Sequence, residues 1–168
     1  MTPLPAALGG KALVAWRIDA QVHAATWDSG EGSFRFGGRW NSAGVRAVYC
    51  SFDPSTTIVE VAVHKGFDAL DVSPHMLSEI EILEPKRVHI VDPADVPNPG
   101  WLRPGMPSAG QQRFGDKLLA DHAFVAIPSA VSTRSWNIVF TAARAAGTYR
   151  LRTQERFSLD TRLNPPAR

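Results

Sequence analysis

Gly37-Gly38-Arg39-Trp40-Asn41, a turn at Ser42-Ala43-Gly44, then Ala47-Val48-Tyr49-Cys50, then Asp53-Pro54-Ser55 running on to Glu60: this alternation of loop, strand and helix start decides how the chain is read. Paired glycines let the backbone adopt conformations closed to residues with a Cβ, so a tight loop can present Arg39. The Arg39 guanidinium offers a planar fork of donors suited to phosphate. Ala47 to Cys50 has the β-branched and aromatic character of a short strand, with Tyr49 standing on one face. Asp53 as N-cap, Pro54 at the first helical position and Gly66 as a stop predict a helix that carries Glu60 at its middle. The run Thr56 to Val63 is rich in β-branched residues, and propensity alone accepts a strand there. The flanking caps decide for helix.

Working outward, Ala12 to Ile18 reads as a strand, with Arg17 a cation among apolar neighbours that needs a partner if buried. Gln21 to Phe36 is polar and glycine-bearing, and reads as a loop able to cover a site. Gly30-Glu31-Gly32 begins like a dinucleotide fingerprint but lacks the third glycine, and no Gly-Lys-Ser/Thr follows anywhere, so Rossmann and P-loop readings fall. Leu77 to Ile82 and Arg87 to Val91 alternate as half-buried strands. Asp92 to Pro107 is a proline- and glycine-rich crossing loop. Ser108-Ala109-Gly110-Gln111 has the form of a capping box, opening a helix that buries Phe114, Leu118 and Leu119. Ala123 to Ile127 is an apolar strand ending at Pro128-Ser129-Ala130, which sets Ser129 at a strand terminus. Trp136 to Phe140 is a further strand, Thr141 to Ala146 at most a short helix, and Thr148 to Arg152 a late strand. Strands outnumber helices in a mixed order, so the fold class is α+β, and 168 residues make one domain spanning 1–168.

Composition is that of an ordinary globular protein, 44% apolar and 20% charged, without a run of 18 apolar residues to cross a membrane. Met1 to Gly10 lacks a basic residue ahead of an apolar core, so no secretory signal is expected. A lone Cys50 makes no internal disulfide and fits a reducing cytoplasm, as a buried structural thiol. The five histidines are scattered without the close pairing of a zinc site, so no metal is expected. Net charge is +2, but residues 134–168 hold seven arginines against two acids. That basic end leaves open a nucleic-acid-binding or RNA-cleaving protein, although few aromatics are interleaved with the arginines.

Two arginines (Arg17, Arg39), an aromatic hydroxyl (Tyr49), one carboxylate (Glu60) and a strand-end serine (Ser129) form a set suited to a nucleotide. Guanidinium groups hold a pyrophosphate, a ring stacks on a heterocycle, and a carboxylate steadies positive charge developing on a ribose. The paired carboxylates of most glycosidases and a serine-hydrolase elbow are both missing. The same residues resemble the RES domain family, named for Arg, Glu and Ser. Ala15-Trp16-Arg17 resembles its opening strand, Gly37-Gly38-Arg39-Trp40-Asn41 with Gly44 its signature loop, and Val48-Tyr49-Cys50-Ser51 its second strand. Ile58-Val59-Glu60 resembles its helix, Ile127-Pro128-Ser129-Ala130 its serine element, and Phe157 to Leu163 its closing segment. Two positions depart from the pattern: Ile18 stands where an aromatic is frequent, and Asn137 to Thr141 lacks the usual Asn-Pro.

The resemblance implies a fold similar to the ADP-ribosyltransferase toxins, with mixed sheets and peripheral helices. It also implies a toxin paired with an Xre-type antitoxin, with NAD as substrate and cleavage of the nicotinamide–ribose bond. ADP-ribose would pass to water, phosphate or a side chain of a target protein. On this reading Arg17, Arg39, Tyr49, Gly38 and Ser129 hold NAD, while Glu60, assisted by Arg39, Tyr49 and Ser129, acts in catalysis. Trp40 and Asn41 shape the loop. No direct nucleic-acid contact and no membrane are expected, and a non-catalytic nucleotide-binding module is the remaining alternative.

Overall fold

A computed structural model describes residues 12–165. The reading of Met1 to Gly10 falls outside the described residues. One seven-stranded sheet runs through the molecule, built from β1 (Leu13–Ala20), β2 (Val48–Ser51), β3 (His75–Ile82), β4 (Val88–Ile90), β5 (Phe124–Pro128), β6 (Trp136–Phe140) and β7 (Tyr149–Phe157). Their spatial order is β4-β5-β6-β2-β1-β3-β7, and only the β4–β5 pair is parallel. Among the described residues four α-helices accompany the sheet: α1 (Glu31–Phe36), α2 (Pro54–Lys65), α3 (Phe67–Val72) and α4 (Ala109–Asp121). The class is α+β with few helices, as the sequence implies.

Both faces of the central strands are covered, which explains the unbroken apolar run of β5. Phe124, Ile138, Phe140 and Val48 pack on one face with Leu13, Ile80 and Ile82. There the ring of Phe140 lies 5.3 Å from Phe124 and 4.9 Å from Tyr149. Val125, Ile127 and Val139 point to the opposite face, against Trp40, Val91, Val96 and Leu119. Such alternation is the period-2 geometry of strands applied to a sheet buried on both sides.

The β-branched run after Asp53 is a helix because its start is tied down by hydrogen bonds. Asp53 Oδ1 accepts from the Thr56 amide at 2.7 Å, and its Oδ2 accepts from the Thr56 hydroxyl at 2.6 Å. Thr57 donates its hydroxyl to Trp16 O at 3.1 Å, pinning α2 to β1. N-capping outweighs the modest helix penalty of Thr and Val.

Two local expectations change and a third, at most a short helix over Thr141 to Ala146, is narrowed to turns. Gln21 to Phe36 is a 3₁₀ turn (Gln21–Thr26) followed by α1, instead of a loop. Six residues are too few to show helical periodicity. The segment is held instead by the Arg35–Glu31 ion pair at 2.8 Å and by Ser33, whose hydroxyl donates to Ala47 O at 2.6 Å. Thr141 to Ala146 forms turns and no helix. The last strand continues to Phe157, past the expected Arg152, since its partners on β3 run on to His75. Its polar residues are paired: Arg150 reaches Glu81 at 2.7 Å and Arg152 reaches Glu79 at 3.0 Å.

Candidate active site

Strands β1 and β2 meet at a single residue pair, Trp16 opposite Ser51, whereas β1 and β3 pair along eight residues. A pocket of about 310 Å³ opens beside this junction. β1 contributes Arg17 and Asp19, β2 contributes Tyr49 and Ser51, and α2 contributes Thr57, Glu60, Val61, His64 and Lys65. The loop Gly37–Trp40, Gly32 and Ser33 of α1, and Asn137 of β6 also line it.

Glu60 is held in the pocket through one carboxylate oxygen. Its Oε1 accepts from Ser129 Oγ at 2.7 Å and from Asn137 Nδ2 at 2.5 Å. Asn137 is oriented in turn by Ser51, whose hydroxyl donates to Asn137 Oδ1 at 2.8 Å. Ser129 is fixed from behind, accepting from the amides of Val131 and Ser132 at 3.2 and 2.9 Å. Oε2 takes no hydrogen bond from the described residues, so one oxygen is clamped and the other is unengaged. Ser129 is buried to 1% exposure and is absent from the lining, so it reaches the pocket through Glu60.

Arg17 finds the partner its setting demands. Nη1 donates to Tyr49 O at 2.8 Å, bridging β1 and β2 beside their one ladder pair, and Nη2 donates to Asp19 Oδ1 at 2.7 Å. Nε also lies 2.6 Å from Asp19 Oδ2, an ion-pair approach without hydrogen-bond alignment. Asp19 carries no motif signal of its own, although its i+2 spacing from Arg17 on a strand places both on one face.

Arg39 rests in a cradle of main-chain carbonyls. Nη2 donates to Gly105 O at 2.9 Å, and Nη1 donates to Arg103 O and Trp101 O at 3.3 and 3.4 Å. Carbonyl acceptors orient the guanidinium without cancelling its charge, so it keeps full attraction for an anion. Nε has no acceptor among the described residues.

Tyr49 serves the loop. Its hydroxyl accepts from the Trp40 amide at 3.0 Å and donates to Asn41 Oδ1 at 2.7 Å. Burial pushes the phenol well above its usual range, so it stays a neutral donor. Asn41 is fully buried and spends its amide on Ser33 O, Ser42 O and Val45 O, shaping the loop as expected. Gly37 turns at φ 70°. Gly38 is needed for a different reason from the conformational one: a Cβ there would lie 2.6 Å from Tyr49 Oη and 2.7 Å from Asn41 Oδ1. That glycine makes room for the hydroxyl that holds the loop.

Thr57, Glu60, Val61 and His64 follow the i, i+3, i+4, i+7 pattern of one helix face. That periodicity, continued to Lys65 at i+8, predicts the α2 wall once Glu60 is chosen. Asn137 had no such signal, because only the pairing of β6 with β2 sets it opposite Ser51. Cys50 is buried, and burial pushes its thiol up to about 12, which marks a structural group. His89 and His122, scattered in sequence, stack at 3.9 Å between ring centroids. Among the described residues no group of three or more His, Cys, Asp or Glu side chains could hold a metal ion. No described helix is long and apolar enough to cross a membrane.

The fold and pocket thus define an α+β protein with a clamped carboxylate beside arginines at a sheet junction. The RES domain matches residues 14–160, and the chain belongs to that family. A relative from Photorhabdus laumondii subsp. laumondii, named Toxin Res, is 28% identical over 155 residues, covering 90% of this chain and 97% of its own. Another, from Sphingobium sp. (strain YBL2), is named Prs ADP-ribosylating toxin; it is 29% identical over 136 residues, covering 76% and 81%. A chain in the crystal structure of the M. tuberculosis MbcT–MbcA toxin–antitoxin complex shares the fold, with a TM-score of 0.61 at 21% identity over 88% of this chain and 85% of that one.

Proposed function

We propose that this chain is the toxin of a toxin–antitoxin pair and that its pocket takes NAD, cleaving the nicotinamide–ribose bond and passing ADP-ribose to an acceptor. The acceptor class is a protein side chain, water or phosphate. The observation that carries this reading is Glu60, with Oε1 clamped by Ser129 and Asn137 and Oε2 left free in a pocket that Arg17 and Arg39 also line.

When the glycosidic bond breaks, its electron pair leaves with neutral nicotinamide and the ribose becomes an oxocarbenium ion. A fixed carboxylate is favoured more by that cation than by the ground state, and this difference lowers the barrier. The acceptor oxygen or nitrogen then bonds to the anomeric carbon and loses a proton, for which Oε2 is the base. Arg39, oriented by neutral carbonyls, suits the pyrophosphate. Arg17 contributes a second cation partly balanced by Asp19. Tyr49 acts by holding the arginine loop, and Ser129 by holding Glu60.

Membership of the RES family supports this reading, as does the relative named an ADP-ribosylating toxin. The likeness to a chain of a toxin–antitoxin complex, a match of fold, agrees with a partner protein. The nucleic-acid alternative loses ground because Arg150, Arg152 and Arg162 are engaged with Glu81, Glu79 and Asp160. Incubation with NAD, with and without phosphate and cell lysate, tests the proposal when nicotinamide and ADP-ribose are followed separately. Nicotinamide release is expected in at least one condition, and intact NAD in all of them overturns the proposal.

A further inference from the structure

Helix α4 does not line the pocket, yet three residues of one of its faces meet the loop that carries Arg39 and a fourth holds one carbonyl of the Arg39 cradle. Gln111, Gln112, Gly115 and Asp116 share that face by their i, i+1, i+4, i+5 spacing. Gln112 Nε2 donates to Gly38 O at 2.9 Å, on the near side of Arg39. Asp116 Oδ1 accepts from the Ser42 amide at 2.9 Å, on the far side. Between them Gly115 lets the helix backbone close on the loop, since a Cβ there would lie 2.0 Å from Trp40 O. Gln111 departs from the capping-box expectation. Ser108 Oγ accepts from its amide at 3.2 Å, but its buried side chain turns away to donate to Trp101 O at 3.1 Å. Trp101 O is also an acceptor for Arg39 Nη1.

Main-chain atoms on both sides of Arg39, and one carbonyl of its cradle, are therefore fixed by polar side chains of a single helix. Apolar residues at Gln112 and Asp116 would pack against a loop without setting its register. Directed hydrogen bonds set it. We infer that Gln112 and Asp116 are positioning residues for Arg39, with α4 the template that aims its guanidinium at the anionic part of the substrate. The inference rests on the reading of Arg39 as a pyrophosphate ligand.

Binding of ADP-ribose by calorimetry, with KM and kcat for nicotinamide release, tests it in the full chain. Gln112→Ala is expected to weaken ADP-ribose binding and raise KM by about fivefold to tenfold, the effect of one lost hydrogen bond, with kcat within about twofold. Asp116→Ala behaves alike, while Asp116→Asn, which keeps an oxygen acceptor for Ser42, restores binding. Arg113→Ala, on the exposed side of α4, leaves both unchanged. In an Arg39→Ala background the Gln112 and Asp116 effects disappear, because both act through Arg39. Should Gln112→Ala fail to fold, the Asp116 pair carries the same cycle. Losses that persist without Arg39, or that fall on kcat alone, overturn the inference while leaving NAD as the substrate. A wild-type chain that binds no ADP-ribose and releases no nicotinamide overturns the substrate reading, and the inference with it.

Discussion

Replacing Gly38 by alanine tests whether the arginine loop is built around the Tyr49 hydroxyl. The new Cβ would stand 2.6 Å from Tyr49 Oη, 2.7 Å from Asn41 Oδ1 and 3.0 Å from Tyr49 Cζ, all far inside van der Waals contact. Neither neighbour is a free-swinging end: Asn41 is fully buried and Tyr49 is tied at both sides of its oxygen. Relief therefore means breaking the bonds from Trp40 N and to Asn41 Oδ1. At about 0.5–1.5 kcal/mol for each hydrogen bond, Gly38→Ala costs about 1–3 kcal/mol. For a chain of this size that lowers Tm by about 2–12 °C, at about 2–4 °C per kcal/mol. Tyr49→Phe alone should cost a similar amount, leaving a buried acceptor unpaired. The double variant lacks the oxygen that clashes, so its loss is smaller than the sum of the two. Thermal melts of the four proteins, with KM for NAD, measure this coupling. Strict additivity, or a Gly38→Ala protein with wild-type Tm and KM, would refute the reasoning.

Four other outcomes are expected. Arg39→Ala weakens ADP-ribose binding by about 1.5–3 kcal/mol, the worth of a hydrogen bond to a charged group, and Arg39→Lys rescues little since a point charge cannot occupy the same carbonyl cradle; equal affinity in either variant removes Arg39 from the site. Ser129→Ala frees one side of Glu60 and leaves two amides without their acceptor, so turnover falls by about tenfold to a hundredfold with substrate affinity kept, a split that steady-state kinetics reads directly. Cys50, its thiol pushed up to about 12 by burial, reacts with a thiol reagent only after unfolding; prompt labelling of the native protein contradicts that placement. Burial and the neighbouring His89 hold the His122 imidazole below its ordinary range, with Asp121 acting in the opposite sense and Arg144 and Lys117 adding to the lowering. The unfolded chain then binds the proton more readily, so stability is full above the ordinary imidazole range and declines as pH falls through it. Melts between pH 8 and 5 should show this slope, and His122→Gln should flatten it.

The extent to which the sequence disclosed all this varies with the range of the forces involved. Local signals were readable. Asp53, Pro54 and Gly66 bounded α2 against its own β-branched propensity, because capping bonds act within one turn. Ser108 opened α4 for the same reason. Alternation located β3 and β4, and apolar or β-branched runs located β1, β2, β5 and β6, to within a few residues. α1 stayed hidden because it is stabilised by Ser33 reaching Ala47 and by Arg46 reaching Glu31, contacts over 14 and 15 residues. The end of β7 was obscured by its polarity, which becomes intelligible only beside Glu79 and Glu81.

At the pocket, the structure places Arg17, Gly38, Arg39, Tyr49 and Glu60 in the lining, with Ser129 behind Glu60. What one strand or one helix face contributes was legible: Asp19 two residues from Arg17, and His64 one turn beyond Glu60. Asn137 and Gln112 were not. Their chemistry arises from partners 77 and 74 residues away, and only the sheet pairing and the α4 docking supply those. Tyr49 and Gly38 each read as parts of the site, but their relation to each other, a hydroxyl seated against the place a Cβ would take, is a three-dimensional fact.

Glu60→Gln tests the central claim most directly. The amide keeps the shape and still accepts at one oxygen, but the charge that the proposed mechanism sets against a ribosyl cation is gone. Purified wild-type and Glu60→Gln proteins are compared for nicotinamide release from NAD under the condition in which the wild type is active, with ADP-ribose affinity measured on both. Near-equal affinity with turnover lower by about 10²–10⁴ is the predicted result. A Glu60→Gln protein that releases nicotinamide at the wild-type rate would contradict it.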